Sequence, residues 1–196
     1  EILDASDKVI RTLKAATKPA PKAGGDDDED EAPRTPAPSL GTKAGLNRFA
    51  WDMRVQGPVH VPKLAMWHAS TLGPVAIPGQ YKARLTVNGK SVTQPFEIVA
   101  NPNVKVTQAQ LKEQFDLAMA VNTELNAVQN AVLEIRELHE KLAEARKGAN
   151  GNAAIVQAAD ALDAKASAIE EKLTQKLSIA SQDPLNFPVR LNNQLA

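Results

Sequence analysis

A chain of 196 residues suffices for one compact domain of average size or two small ones, and a large single-core enzyme is not expected. Lys+Arg and Asp+Glu both number 23, so no net field draws in nucleic acid or anionic lipid, and neither is expected as a partner. The absence of cysteine excludes disulfides, cysteine-ligated zinc and thiol catalysis.

Hydrophobic residues make up 43% of the chain but aromatics only 4%, which suits packed helices with a little sheet better than an aromatic cleft. No apolar run approaches the ~18 residues of a membrane span. The chain opens at Glu1-Ile2-Leu3 without methionine or leader pattern, so any targeting segment is expected to lie upstream or to have been removed.

Residues Ile2 to Leu13 read as a strand hairpin turning at Asp4-Ala5-Ser6-Asp7-Lys8. From about 17 to 43 the composition turns to Pro, Ala, Gly and acid, with six acids in a row at 26–31. Such a stretch cannot offset an ordering cost of about 1–2 kcal/mol per residue and is expected to be a disordered loop. Leu46 to Arg54 reads as a strand in which Phe49, Trp51 and Met53 share a core-facing side. The long loop 56–78 carries Leu64, Met66, Trp67 and Leu72 and is expected to pack down onto the domain.

The strongest local signal is the pair of alternating runs 79–87 and 90–99 around Asn88-Gly89, the preferred type I′ hairpin turn. Pro95 cannot donate to a ladder, so its strand belongs at an edge or carries a bulge. Several short antiparallel strands without an intervening helix suggest a small immunoglobulin-like β-sandwich over 1–102.

Beyond Pro102 the period changes from 2 to about 3.6. Thr107 and Gln110 form a capping box, and a stripe from Leu111 through Phe115, Leu125, Val132 and Leu142 to Ala145 predicts a helix over about 108–146. A Gly/Asn-rich turn at 147–152 leads to a second helix over about 152–177, with Ile155, Ala159, Leu162, Ala166, Ile169, Leu173 and Leu177 on one face. Two stripes joined by so short a turn predict an antiparallel helical hairpin over 103–196. The first stripe is wider than a two-helix seam needs, so a third helix is expected, with its start at about 189–196. The fold class is therefore α+β, in two domains.

Few residues offer chemistry. His139-Glu140 fails the two-histidine zinc pattern at Ala143, so His139 reads as a surface residue, and His60 and His68 read as loop packing. Asp26, Asp28 and Asp30 alternate as calcium ligands would, but Glu31 and Ala37 stand where that loop needs Gly and Glu. Asp52 is expected to bond a nearby turn. Trp51, Trp67 and Tyr81 are the candidate ligand-binding residues, as a sugar-stacking platform, with core packing of Trp51 as the favoured competing role. No catalytic residue, metal site or cofactor is expected.

The segments Asn47-Arg48-Phe49-Ala50-Trp51-Asp52-Met53-Arg54, Val61-Pro62, Met66-Trp67, Gly73-Pro74, Pro78-Gly79-Gln80-Tyr81, Val87-Asn88-Gly89-Lys90 and 185–193 together resemble a known arrangement. It is the C-terminal region of bacterial sortilin-like proteins, the family often labelled glycosyl hydrolase with Asp-box (BNR) or WD40/YVTN repeats. There β-propellers precede a small Ig-like domain and a helical bundle. The resemblance implies a periplasmic, cell-surface or secreted bacterial protein. Its partners would be the upstream propellers, a second copy, or another envelope protein reached through the helices. Any hydrolase site is then expected on the propellers, which leaves this chain a structural and interaction module. An accessory substrate-binding role beside a glycoside hydrolase or peptidase is the alternative.

Overall fold

The computed structural model describes residues 1–15, 40–67, 69–179 and 183–196, so residues 17–39 of the expected disordered loop, the acidic run and His68 lie outside the described residues. The fold is mixed α+β, with one four-stranded antiparallel sheet and helices. Two compact units are present: Glu1–Gly57 with Leu72–Ala120, and Pro58–Thr71 with Val121–Ala196.

In the first unit, β1 (Ile2–Leu3), β2 (Val9–Arg11), β3 (Gly79–Val87) and β4 (Lys90–Ile98) pair in the order β2-β1-β3-β4. The β1–β2 turn forms because the Asp4 carboxylate accepts from the Ser6 and Lys8 backbone N–H groups at 2.9 and 3.0 Å, while Asp7 takes φ 66°. Asn88 and Gly89 adopt φ 50° and 78°, so the turn twists with its strands as a type I′ turn requires. Counting back from that two-residue turn, Pro95 opposite Lys82 falls at a non-hydrogen-bonded pair. Its missing N–H would have pointed off the sheet edge, so β4 tolerates proline there and the edge is blunted. The core gathers Ile2, Ala76 and Tyr81 with Ile10, Trp51, Phe96 and Ile98.

The expected strand at 46–54 does not form. Asp52 accepts from the Arg54 N–H at 3.1 Å and Met53 turns to φ 57°, so a local side-chain bond replaces the pleat. Phe49 and Trp51 are half-buried, but Met53 is turned out and exposed. What survives is a single antiparallel bridge, Arg54 with Val75. Among the described residues no second sheet faces the first.

Helix α1 (Gln108–Gly148) begins where expected: the Thr107 N–H donates to Gln110 Oε1 at 3.0 Å and the Gln110 N–H to Thr107 Oγ1 at 3.2 Å. Its turns up to Ala120 belong to the first unit and the rest to the second. Asn150 and Gly151 at φ 46° and 85° end it, and Asn152 caps α2 (Ala153–Leu173) by accepting from the Ala154 N–H. A short α3 (Leu191–Leu195) follows a 3₁₀ turn at Asp183–Leu185. Leu125, Val128, Val132 and Leu142 of the expected α1 stripe are buried.

The α2 stripe requires correction. Ala159 and Ala166 are buried, together with Glu170, whereas Ile155, Leu162 and Ile169 remain 44, 45 and 53% exposed. Leu177 lies beyond the helix and is also exposed. The buried side of α2 is centred on two small residues and on carboxylates that answer cations from α1. The larger aliphatics sit just beside it, a distinction that helical spacing alone does not contain.

The described residues between 58 and 71 form no helix or strand and are held in the second unit by side chains. Asn126 Oδ1 accepts from the Val59 N–H at 2.9 Å, and Arg136 Nη1 donates to the Pro62 carbonyl at 2.6 Å. The Asn193 amide accepts from the Trp67 N–H at 2.7 Å and donates to its carbonyl at 2.9 Å. Val61, 2% exposed, is the apolar anchor of this loop.

Candidate functional site

Three arrangements could carry function: the aromatic residues singled out from the sequence, an apolar cavity in the first unit, and an ion network in the second. The aromatic group is built by β3, β4 and the 51–54 turn. Trp51 meets Tyr81 and Phe96 edge-on at 6.3 and 6.1 Å between ring centres, and Tyr81 stacks on Phe96 at 5.9 Å. Trp51 Nε1 donates to the Arg54 carbonyl at 2.9 Å and the Tyr81 hydroxyl to the Ile77 carbonyl at 2.7 Å. Burial, with the nearby Asp4 charge second, pushes the Tyr81 phenol up from its ordinary value, so it stays a neutral donor. These rings spend their faces on one another. Trp67 belongs to the second unit, 44% exposed, with its backbone held by Asn193.

The cavity, about 430 Å³, is walled by Met53, residues 74–78 and 98–101, Val104, Val106 and the first turns of α1 from Leu111 to Ala118. Asn101 and Gln114 bring the polar side chains of that wall, and no ionisable side chain lines it. Such a site favours an apolar, uncharged occupant and holds no group able to move a proton. Sequence reading missed it because the walls come from separated segments. The available signal was the apolar pair Val104 and Val106 just before the α1 cap, continuous with Leu111 and Phe115.

His139, expected on the surface, is instead 26% exposed at its side chain and set between two carboxylates of α2. Its Nδ1 lies 2.5 Å from Asp163 Oδ1 and its Nε2 lies 3.5 Å from Glu170 Oε2. Arg146 reaches Asp160 at 2.8 Å and Asp163 at 2.9 Å, Arg136 approaches Glu170 at 3.5 Å, and Lys176 closes on Glu170 at 2.8 Å. Residue numbers fall along α1 as they rise along α2 through these pairs.

The His139 hydrogen bond, then that of Arg146, holds the Asp163 carboxyl below its ordinary value. For Glu170 the largest single influence is burial, which pushes the carboxyl up. It is outweighed by the Lys176 hydrogen bond and by the charges of Lys176, Arg136 and His139, so the carboxyl ends lowered. Both imidazole nitrogens thus face carboxylates of α2. Elsewhere, Asp52 bonds the turn at Arg54, as expected, and Glu137 pairs with Lys141 at 2.6 Å.

Among the described residues no cluster of His, Cys, Asp or Glu could hold a metal ion, and no helix is long and apolar enough to cross a membrane. No family model, no curated protein and no solved structure matches the chain.

Proposed function

We propose that the chain is a non-catalytic structural and interaction module at the C-terminal end of a larger exported bacterial β-propeller protein. In this reading the sheet unit is a reduced Ig-like domain that adjoins the propellers. The two long helices are an antiparallel hairpin, part of a bundle, that presents a surface to a partner. One observation carries the proposal: most of the groups the sequence offered as reagents are engaged within the chain. His139 lies between Asp163 and Glu170, the Tyr81 hydroxyl bonds Ile77, Trp51 bonds Arg54, and Asp52 caps its own turn. The test is to assay the 196-residue chain against panels of glycans and peptides for binding and turnover. No glycan binding and no turnover of any member are expected, and turnover of any member would end the proposal. Propeller repeats in the coding sequence upstream of Glu1 are expected, and their absence would remove the sortilin-like assignment.

A second reading, an accessory binding portion of a hydrolase or peptidase, is favoured by the 430 Å³ cavity. Its uncharged wall suits an apolar peptide segment better than a sugar. Soaking with aliphatic peptides, read by chemical-shift changes at Leu111 and Phe115, tests it.

A further inference from the structure

On α2, residues seven apart return to nearly the same angle, so Ile155, Leu162 and Ile169 form one line along the helix. Each is 44–53% exposed, whereas Ala159 and Ala166, one step round the helix, are buried.

 The line therefore borders the face that α2 already uses. On its open side, at 100° per residue, come Ala154, Ala158, Ala161, Lys165, Ala168 and Lys172. That flank holds two exposed lysines and no acid, and neither lysine has an ion pair among the described residues. The acids of α2 lie elsewhere: Asp160, Asp163 and Glu170 are engaged by Arg146, His139, Arg136 and Lys176, and at 100° per residue Glu171 falls on the opposite side of the helix from the aliphatic line.

We propose that this face docks an amphipathic helix of a partner protein, with aliphatic residues at heptad spacing against Ile155, Leu162 and Ile169 and acidic residues against Lys165 and Lys172. The inference rests on the module reading above and names the partner's chemistry. Charge decides between occupants: a second copy of this chain would bring the same lysine-bearing, acid-free flank to the seam, and like charges across a helix pair select against it. A helix flanked by Asp or Glu meets both the apolar line and the lysines.

The test uses the 196-residue chain and two synthetic 21-residue peptides with the same heptad leucines, one flanked by glutamate and the other by lysine. Fluorescence anisotropy should show the acidic peptide binding at least about tenfold more tightly than the basic one. Leu162→Asp should weaken it by about tenfold or more, and the double variant Lys165→Glu/Lys172→Glu should reverse the preference between the peptides. Far-UV circular dichroism checks that both variants stay folded. Equal binding of the two peptides, no binding of either, or binding indifferent to Leu162→Asp overturns the proposal. Sedimentation showing a dimer that Leu162→Asp dissociates also overturns it, because a second copy would then be the occupant. That last outcome leaves the module reading standing, whereas turnover of a substrate would end the module reading without touching the peptide result.

Discussion

Replacing Glu170 by alanine removes the carboxylate on which Lys176, Arg136 and His139 converge. Its residue is 5% exposed, with Lys176 Nζ at 2.8 Å and Arg136 Nε and His139 Nε2 both at 3.5 Å. Taking one partner from a buried pair costs about 3–5 kcal/mol when the other charge is left stranded. Here Arg136 and Lys176 keep 35 and 34% of their side-chain surface in water, and two of the three contacts are long, so the loss falls to about 2 kcal/mol. A domain of about 60–100 residues loses about 4–8 °C of Tm per kcal/mol, so the melting transition of the second unit should drop by about 8–16 °C. Circular dichroism at the helical minimum reads it, with Lys176→Ala and the double variant completing a cycle. A Glu170→Ala protein within about 0.5 kcal/mol of the parent, or strict additivity with Lys176→Ala, would refute the clamp.

The same pairs set an acid limit. Asp163 and Glu170 are both held below their ordinary values of 3.8 and 4.5. Near pH 4 the unfolded chain therefore binds more protons than the folded one, and stability rises with pH through that window. The contribution is complete above about pH 5 and is lost as pH falls through the folded values, and Asp163→Asn should flatten the slope in acid melts. Gly73→Ala should disrupt the first unit: an added Cβ would lie 2.1 Å from the Val55 carbonyl oxygen and 2.8 Å from its carbon, both backbone. A loss above about 3 kcal/mol is expected there, against about 1–2 for Gly89→Ala, where only the φ of 78° objects. Asn193→Ala should raise amide exchange at Trp67 about tenfold by removing both bonds to that residue, with unit stability changed by about 1 kcal/mol.

Elements whose cause is local were legible in the sequence. Asn88-Gly89, the Thr107–Gln110 box, the Asp4 turn and the Asn150-Gly151 stop each act within a few residues, and each appears as read. Segment 46–54 was misread because alternation of Phe49, Trp51 and Met53 is a long-range signal, while Asp52 bonding the Arg54 N–H is a short-range one that wins. The α2 stripe was legible as a stripe but not as a direction, since Ala159 and Leu162 fit the same period and only the ion pairs decide which turns inward. The grip on loop 58–71 was hidden altogether. Asn126, Arg136 and Asn193 bond backbone 67, 74 and 126 residues away, and a side-chain amide carries no mark of so distant a partner.

Polar and apolar surfaces of α2 are separated, and this makes the two kinds of variant independent. At 100° per residue, Asp160 with its Arg146 partner falls on one side of the buried Ala159 and Ala166, and Ile155, Leu162 and Ile169 fall on the other. A helix seated on the aliphatic line would not have to break any of the ion pairs that join α1 to α2. Below its lowered Tm, Glu170→Ala should therefore keep the acidic peptide's affinity within about twofold, while Leu162→Asp should lose the affinity and keep the Tm within about 4 °C. Coupling of the two effects would mean that the clamp and the docking line are one surface, and the division of α2 into a structural side and a binding side would fail.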